Sequence, residues 1–133
     1  MDAPLPITLV FTAVFVLLSI PMAVAVGLRR AKTGILMLHG EDDDLLKRIR
    51  AHANFTEYVP LALLAMAGAE LAGAPGWLLI GAGIVLLAAR LLHYTALRGT
   101  GTGHGRTFGA GLTSLTMAVL GVTILLYLGG VAG

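Results

Sequence analysis

The sequence predicts an all-α integral membrane protein, a bundle of four transmembrane helices. Its 133 residues are 57% apolar and only 12% charged, and the mean hydropathy is +0.90. A soluble domain carries about 25% charged residues, so this chain cannot cover a water-facing surface in the ordinary way. Four apolar stretches each reach the roughly 20 residues that an α-helix needs to cross the hydrocarbon core. The period-two alternation of a membrane β-barrel is absent.

The predicted helices occupy most of a chain that is long enough for one domain, residues 1–133. The first helix contains no ionisable residue before its end, and the fourth contains none at all. The second is the weakest because Glu57 and Glu70 lower its hydropathy, and the third contains Arg90 and His93. The four ranges are residues 5–28, 45–74, 76–97 and 107–131.

Composition also excludes several classes of function. No cysteine is present, which excludes disulfides, thiolate metal sites and a cysteine nucleophile. A net charge of +2 provides no broad basic face for nucleic acid. No second or third histidine or carboxylate stands at ligand spacing from His93, so we expect no metal site.

All nine lysines and arginines lie on, or point toward, one side of the predicted bundle. They follow the first helix or lie near the end of the third, whereas the opposite turn at 73–76 has none. The positive-inside rule therefore predicts that both termini face away from the cytoplasm. Residues 1–6 contain Asp2 and no basic residue, which is unlike a signal peptide, so we expect the first helix to be retained.

Two polar segments on the basic side each have two interpretations. The acidic run at 41–44 is typical of a helix N-cap, because carboxylates satisfy free N–H groups there; calcium binding is the alternative. The glycine-rich segment at 98–107 is a flexible loop or a phosphate cradle, although no strand precedes it and no Walker lysine follows.

Charged side chains inside the predicted helices are costly, at about 2.5–3.5 kcal/mol each near the bilayer centre. Glu57, Arg90 and His93 all fall in the cytoplasmic half and are close enough in depth to meet. Glu57 and Arg90 are expected to pair, to form part of a ligand site, or both. Glu70 falls on another face near the far side, where we expect a packing or snorkelling role. Helical spacing places these polar residues on two helix faces. One face, on the second helix, contains Arg50, Asn54 and Glu57, and the other, on the third helix, contains Arg90, His93 and Tyr94.

Small residues recur four residues apart on the second and fourth predicted helices. Such ridges let helix backbones approach closely in lipid, where no hydrophobic drive acts between helices. They are compatible with packing in a monomer or in an oligomer. The ridges are Ala65, Ala69 and Gly73, and Ala110, Ser114 and Ala118.

Two motifs carry a family resemblance over nearly the full chain. The segment RAHANFTEYVPLALL at 50–64 closely resembles the signature of the membrane-associated proteins in eicosanoid and glutathione metabolism, the MAPEG family. The segment ARLLH at 89–93 resembles the family's motif on the third helix. The resemblance implies a homotrimer that binds glutathione between subunits in the cytoplasmic half, and the short loops resemble bacterial members of the inner membrane. Prostaglandin-synthase-like members of the family have a tyrosine at the position of Leu97. The resemblance therefore implies glutathione use but not eicosanoid chemistry.

The resemblance also implies the site residues. Glutathione would be held by Arg50, Asn54, Glu57, Arg90 and His93, with Tyr94 nearby. Arg106 falls where the family has an arginine near the sulfur, and Thr107 falls where some members have serine. A guanidinium beside the sulfur favours the thiolate, which is the nucleophile.

The leading hypothesis is therefore a membrane glutathione transferase or peroxidase that acts on lipophilic electrophiles or hydroperoxides. The alternative is a non-catalytic helical membrane module that binds lipid or a protein partner. A transporter fits poorly, since inverted repeats and broken midplane helices are absent.

Overall fold

The computed structural model describes residues 4–101 and 103–131, and every regular element in these ranges is an α-helix. The four helices confirm the predicted all-α fold class. In chain order they are α1 (Pro6–Thr33), α2 (Asp43–Leu71), α3 (Gly76–Arg98) and α4 (His104–Leu128).

The helix ends differ from the predicted ranges where capping extends or stops a helix. α1 continues to Thr33 rather than to residue 28, and it ends where Gly34 adopts φ +73° and donates its N–H to the Arg30 carbonyl. α2 begins two residues early because the Asp42 side chain accepts the Leu45 N–H at 2.7 Å. At its other end α2 stops at Leu71 rather than at residue 74, and α4 begins at 104 rather than at 107.

Three helices are long and apolar enough to cross a membrane: α1, α3 and α4. In the described chain α2 falls short of the same hydropathy criterion, as expected for the weakest predicted span. Its charged residues explain this, because its first two turns carry acidic and basic residues and Glu57 and Glu70 follow.

α2 packs against α1, α3 and α4, whereas α1 and α4 are not in contact over the described residues. α2 and α3 are thus the two helices that each contact all three others.

The core lies along the inner faces of these helices. Phe15, Met66, Leu86 and Leu120 are at most 1% exposed. At the α1–α3 contact, a Cβ at Gly83 would overlap the Phe11 ring, so the absent side chain is what allows these helices to approach.

The buried face of α4 contains threonines and not the predicted small-residue ridge. Thr113, Thr116 and Thr123 are buried and each donates its hydroxyl to the carbonyl four residues earlier. Of the two uses that the sequence left open for the α4 ridge, packing within the single chain is therefore not the one observed. Because each hydroxyl is satisfied within α4, threonine can face the core without a partner on another helix. The ridge of Ala110, Ser114 and Ala118 is exposed.

Glu70 caps the N-terminus of α1. Its two carboxylate oxygens accept the Ile7 N–H at 2.9 Å and the Thr8 N–H at 2.8 Å. The first N–H groups of a helix have no partner within the helix, and an anion is favoured at this end. The Glu70 carboxylate, which lies in a predicted span, thus has a specific structural role. Its hydrogen bonds join α2 to the start of α1.

An ion-pair cluster fastens the helix ends on the basic side. Arg29 at the end of α1 pairs with Asp42 at 2.8 Å. Asp44 pairs with Arg48 at 2.8 Å and with Arg98 of α3 at 3.0 Å. The hydrogen bonds from Arg48 and Arg98 lower the pKa of the Asp44 carboxyl below its usual value. The acidic run is therefore a helix cap that also ties three helices together.

Candidate functional site

A cavity of about 410 Å³ opens at the basic end of the bundle, between α2, α3 and the α3–α4 loop. Lysine and arginine side chains line it together with an amide and an imidazole, and no carboxylate is among its lining residues. Such a site favours an anion. The lining residues are Leu46, Lys47, Arg50, Asn54, His93, Leu97, Thr100, Gly101 and Arg106.

α2 contributes one continuous polar face to this cavity. Lys47, Arg50 and Asn54 stand three and four residues apart, so they project from the same side of the helix. The Lys47 ammonium donates to the Gly99 carbonyl at 2.8 Å, and this bond holds the α3–α4 loop against α2. Sequence reasoning missed Lys47, although its spacing from Arg50 on the same face was a usable signal.

Arg90 lies behind the cavity and does not line it. The side chain is only 3% exposed, and Nη1 donates to the Asn54 Oδ1 at 2.8 Å. Nη2 donates to the Gly109 carbonyl at 3.0 Å, and the guanidinium lies 5.6 Å from the centre of the Tyr58 ring. The Asn54 oxygen thus accepts from Arg90, while Asn54 itself lines the cavity and has an amide nitrogen that can act as a donor.

The expected pairing of Glu57 with Arg90 is wrong within the described chain. Glu57 is exposed, forms no ion pair there and does not line the cavity. Asn54 precedes it by almost one helical turn and faces α3, whereas Glu57 is rotated about 60° farther round and faces outward. The two terminal nitrogens of the cation are therefore paired with a neutral amide and a backbone carbonyl, the Tyr58 ring lies nearby, and the buried Nε has no hydrogen-bond partner among the described residues.

His93 lines the cavity, and its position is set by α4. The ring Nδ1 lies 3.0 Å from the Arg106 carbonyl, and the side chain is 5% exposed. Tyr94, the next residue, is half-buried and packs on the apolar core instead. Of the α3 residues expected at the site, His93 is thus the one that reaches the cavity.

Arg106 connects the cavity to the outer face of α4. Its side chain is exposed, and Nη1 lies 3.5 Å from the Gly101 carbonyl, which is long for a hydrogen bond. Arg106 also borders a shallow depression on α4 together with Thr107 and Ser114. Thr107 therefore lies beside Arg106 but outside the cavity itself.

Gly109 allows a close approach between α3 and α4 and was missed at the sequence level. A Cβ there would lie 2.7 Å from the Ala89 carbonyl oxygen and 2.8 Å from the His93 Cβ. Its own carbonyl accepts hydrogen bonds from Arg90 and, at 2.8 Å, from the Thr113 hydroxyl. Gly109 thus sets how near His93 and Arg106 come to each other.

The sequence predicts no metal site, because histidines and carboxylates are not grouped at ligand spacing. Within residues 4–101 and 103–131, no group of three or more such residues could hold a metal ion.

The residues that form the helices and the cavity also match a known protein family. The profile of the MAPEG family matches residues 8–126, which include α2 and α3 in full, nearly all of α1 and α4, and the residues that line the cavity. The chain belongs to the MAPEG family. Among curated relatives, the inner membrane protein YecN of Escherichia coli K12 and that of E. coli O6:H1 are each 46% identical over 55 residues. Each alignment spans 41% of this chain and 42% of the relative.

These relatives are bacterial inner membrane proteins, in agreement with the resemblance to bacterial MAPEG members. The chain spans less than half the length of the curated relatives it matches. MAPEG membership establishes a four-helix membrane protein of this family.

Proposed function

We propose that this MAPEG protein is a membrane glutathione transferase or peroxidase that binds glutathione at the basic cavity. The observation that carries the proposal is the convergence of Lys47, Arg50 and Arg106 on one cavity of about 410 Å³. Glutathione carries two carboxylates, one ammonium and a thiol. Three cations and an amide donor match its anionic groups.

Arg50 and Lys47 hold the carboxylates in this proposal, and the Asn54 amide donates a further hydrogen bond. Arg90 fixes that amide from behind, and His93 closes the wall of the cavity nearest α4. Glu57 and Tyr94 do not reach this cavity in the single chain. A residue that binds the ammonium of glutathione is therefore still required.

We infer that a second copy of the chain supplies the missing wall, as part of a homotrimer. Glu57 is exposed at membrane depth, and a carboxylate facing lipid is costly unless it is covered. The small-residue ridge of α4 is exposed beside the Arg106 depression, so another helix can pack closely there. Glu57 of one copy then faces the ligand bound to its neighbour.

Arg106 and Thr107 are the proposed catalytic residues. The positive guanidinium stabilises the thiolate of glutathione, the Thr107 hydroxyl donates a hydrogen bond to sulfur, and the thiol proton passes to water. With an aryl halide, the sulfur forms a bond to carbon and the halide leaves. With a lipid hydroperoxide, the O–O bond breaks, two glutathione molecules are oxidised to their disulfide, and the alcohol and water are released.

The proposed setting is a bacterial inner membrane, with the cavity on the cytoplasmic side and both termini opposite. The positive-inside rule supports this orientation, because the basic cavity lies at the lysine- and arginine-rich end. A water-soluble thiol reaches the cavity from the cytoplasm, while a lipophilic substrate reaches it from the bilayer.

Calorimetry of the detergent-purified protein with glutathione tests the proposal. We expect measurable binding, a weaker affinity in Arg50→Gln, and no change in the matched control Lys32→Gln. Lys32 is an exposed cation on the same side that does not line the cavity. The absence of heat and of a thermal shift at millimolar glutathione would contradict the proposal.

A second candidate is a non-catalytic membrane module, and one observation favours it. Arg90 is hydrogen-bonded within the chain, and Arg106 lies near a backbone carbonyl, so both cations have structural contacts without a ligand. Under this hypothesis the cavity variants change the free energy of unfolding but no glutathione is bound.

A further inference from the structure

The loop between α1 and α2 presents three consecutive large apolar side chains to the outside. Leu36, Met37 and Leu38 are 83%, 81% and 79% exposed. Together they are called the apolar tip below. Single exposed apolar residues are common on proteins, but a contiguous group at a loop tip loses hydrophobic free energy in water and indicates a binding surface.

The tip is held in a defined conformation by the end of α1. Nη1 of Arg30 donates to the carbonyls of Ile35 and Leu38, both at 3.0 Å. Leu38 adopts φ +56°, a left-handed conformation that a leucine rarely takes. Ile35 turns inward, where its Cδ1 lies 3.2 Å from the position of a Cβ on Gly40. The loop thus buries Ile35 in part and directs the next three side chains outward.

The length of α1 places this tip near the membrane surface. At 1.5 Å per residue its 28 residues span about 42 Å, comparable with the 40–45 Å of a bilayer that includes its headgroup layers. The outward face of α1 is apolar as far as Leu28, which is 66% exposed. The apolar tip therefore lies just beyond the last basic turn of a helix whose length and composition suit a membrane span.

The charges around the tip match a lipid headgroup. Lys32, in the last turn of α1, is exposed and forms no ion pair within the described residues. Of the neighbouring carboxylates, Asp42 is bound to Arg29, whereas Glu41 and Asp43 are exposed and form no ion pair within the described residues. A free ammonium next to exposed apolar side chains is the combination found in segments that bind an anionic membrane surface.

We propose that the apolar tip inserts into the interfacial layer of the leaflet on the basic side, with Lys32 at an anionic lipid phosphate. The insertion removes Leu36, Met37 and Leu38 from water and holds the α1–α2 connection against the membrane. It does not depend on glutathione binding.

Tryptophan fluorescence in lipid nanodiscs tests the insertion. The chain has one tryptophan, Trp77, so a Trp77→Phe background removes the native signal. In this background Met37→Trp should emit at shorter wavelength than an indole in water and lose intensity when the phosphatidylcholine is brominated near the top of its acyl chains. Glu41→Trp, at an exposed position of the same loop, is the matched control and should show neither effect.

Two results would overturn the insertion. Emission from Met37→Trp that matches Glu41→Trp and resists quenching would place the tip in water. A blue shift without quenching by brominated lipid would show that protein covers the tip, for example a second copy. Leu36→Trp repeats the measurement at the adjacent residue should Met37→Trp fail to fold.

The headgroup contact has a separate test. In Met37→Trp, adding phosphatidylglycerol to the brominated phosphatidylcholine nanodisc should deepen quenching, and Lys32→Gln should abolish that dependence. A dependence on phosphatidylglycerol that persists in Lys32→Gln would assign the effect to other cations and overturn the role of Lys32.

Discussion

Arg90 and Asn54 form a hydrogen bond of 2.8 Å between α3 and α2, inside the bundle and directly behind the basic cavity. No carboxylate neutralises Arg90 within the described chain. The guanidinium is stabilised by the Asn54 amide, the Gly109 carbonyl and the face of Tyr58. This relationship links the helix packing to the cavity, because the same amide lies on the cavity wall.

Loss of the Asn54 acceptor should destabilise the bundle. Hydrogen bonds to charged groups contribute about 1.5–3 kcal/mol, so Asn54→Leu should lower the free energy of unfolding by about that amount. Combined with Arg90→Leu, the double variant should lose less than the sum of the single losses, measured by denaturant unfolding in detergent. The matched cycle of Glu57→Gln with Arg90→Leu should be additive. Coupling in the Glu57 cycle and additivity in the Asn54 cycle would show that Glu57, and not Asn54, is the partner of Arg90.

Arg106→Leu separates catalysis from binding. Removing the cation should raise the thiol pKa of bound glutathione by about one unit or more, toward the ordinary value of about 8.5. The thiolate absorbance and the rate with an aryl halide at neutral pH should then fall, because each unit lowers the ratio of thiolate to thiol tenfold. Calorimetry should show that glutathione still binds. A variant that keeps both signals would leave Arg106 as a topology residue.

Gly109→Ala should loosen the α3–α4 contact, since its Cβ would lie 2.7 Å from the Ala89 carbonyl oxygen. Overpacking of this kind costs about 1–3 kcal/mol, which thermal unfolding in detergent measures. Gly111→Ala is the matched control, because a Cβ there meets nothing within 4 Å. It should be neutral or stabilising by up to about 1 kcal/mol, as alanine favours the helix. Equal effects at both positions would argue against the close approach.

The ion-pair cluster predicts acid sensitivity. Hydrogen bonds from Arg48 and Arg98 lower the pKa of Asp44 in the folded chain. Asp44 therefore stabilises the fold above its unfolded pKa of about 3.9, and this contribution is lost as the pH falls through the lower folded value. The melting temperature should drop below about pH 4.

Asp44→Asn should make the dependence of the melting temperature on acid shallower. Part of the dependence should remain in this variant, because the pKa of Asp42 is also lowered. Asp43→Asn is the control, because Asp43 is exposed and forms no ion pair in the described chain. A dependence on pH that is unchanged in Asp44→Asn would exclude this carboxylate as its source.

The sequence by itself determined the membrane class, the number of helices and the side on which the cations gather. Those features depend on residue type and on helical period, which are local properties. The grouping of Arg50 with Asn54 on one face of α2 was predictable for the same reason, and so was the cap provided by the acidic run. The motifs at 50–64 and 89–93 also gave the family, which the match over residues 8–126 confirms.

The tertiary structure alone decided which residues meet across helices. Helical spacing gives the face of a residue but not the rotation or depth of the neighbouring helix, so Asn54 and Glu57 were equally good partners for Arg90. The rotation of α2 places Asn54 against α3 and leaves Glu57 outside. In the same way, Glu70 becomes the cap of α1 because the packing of α2 brings its carboxylate to two N–H groups that have no partner within their own helix.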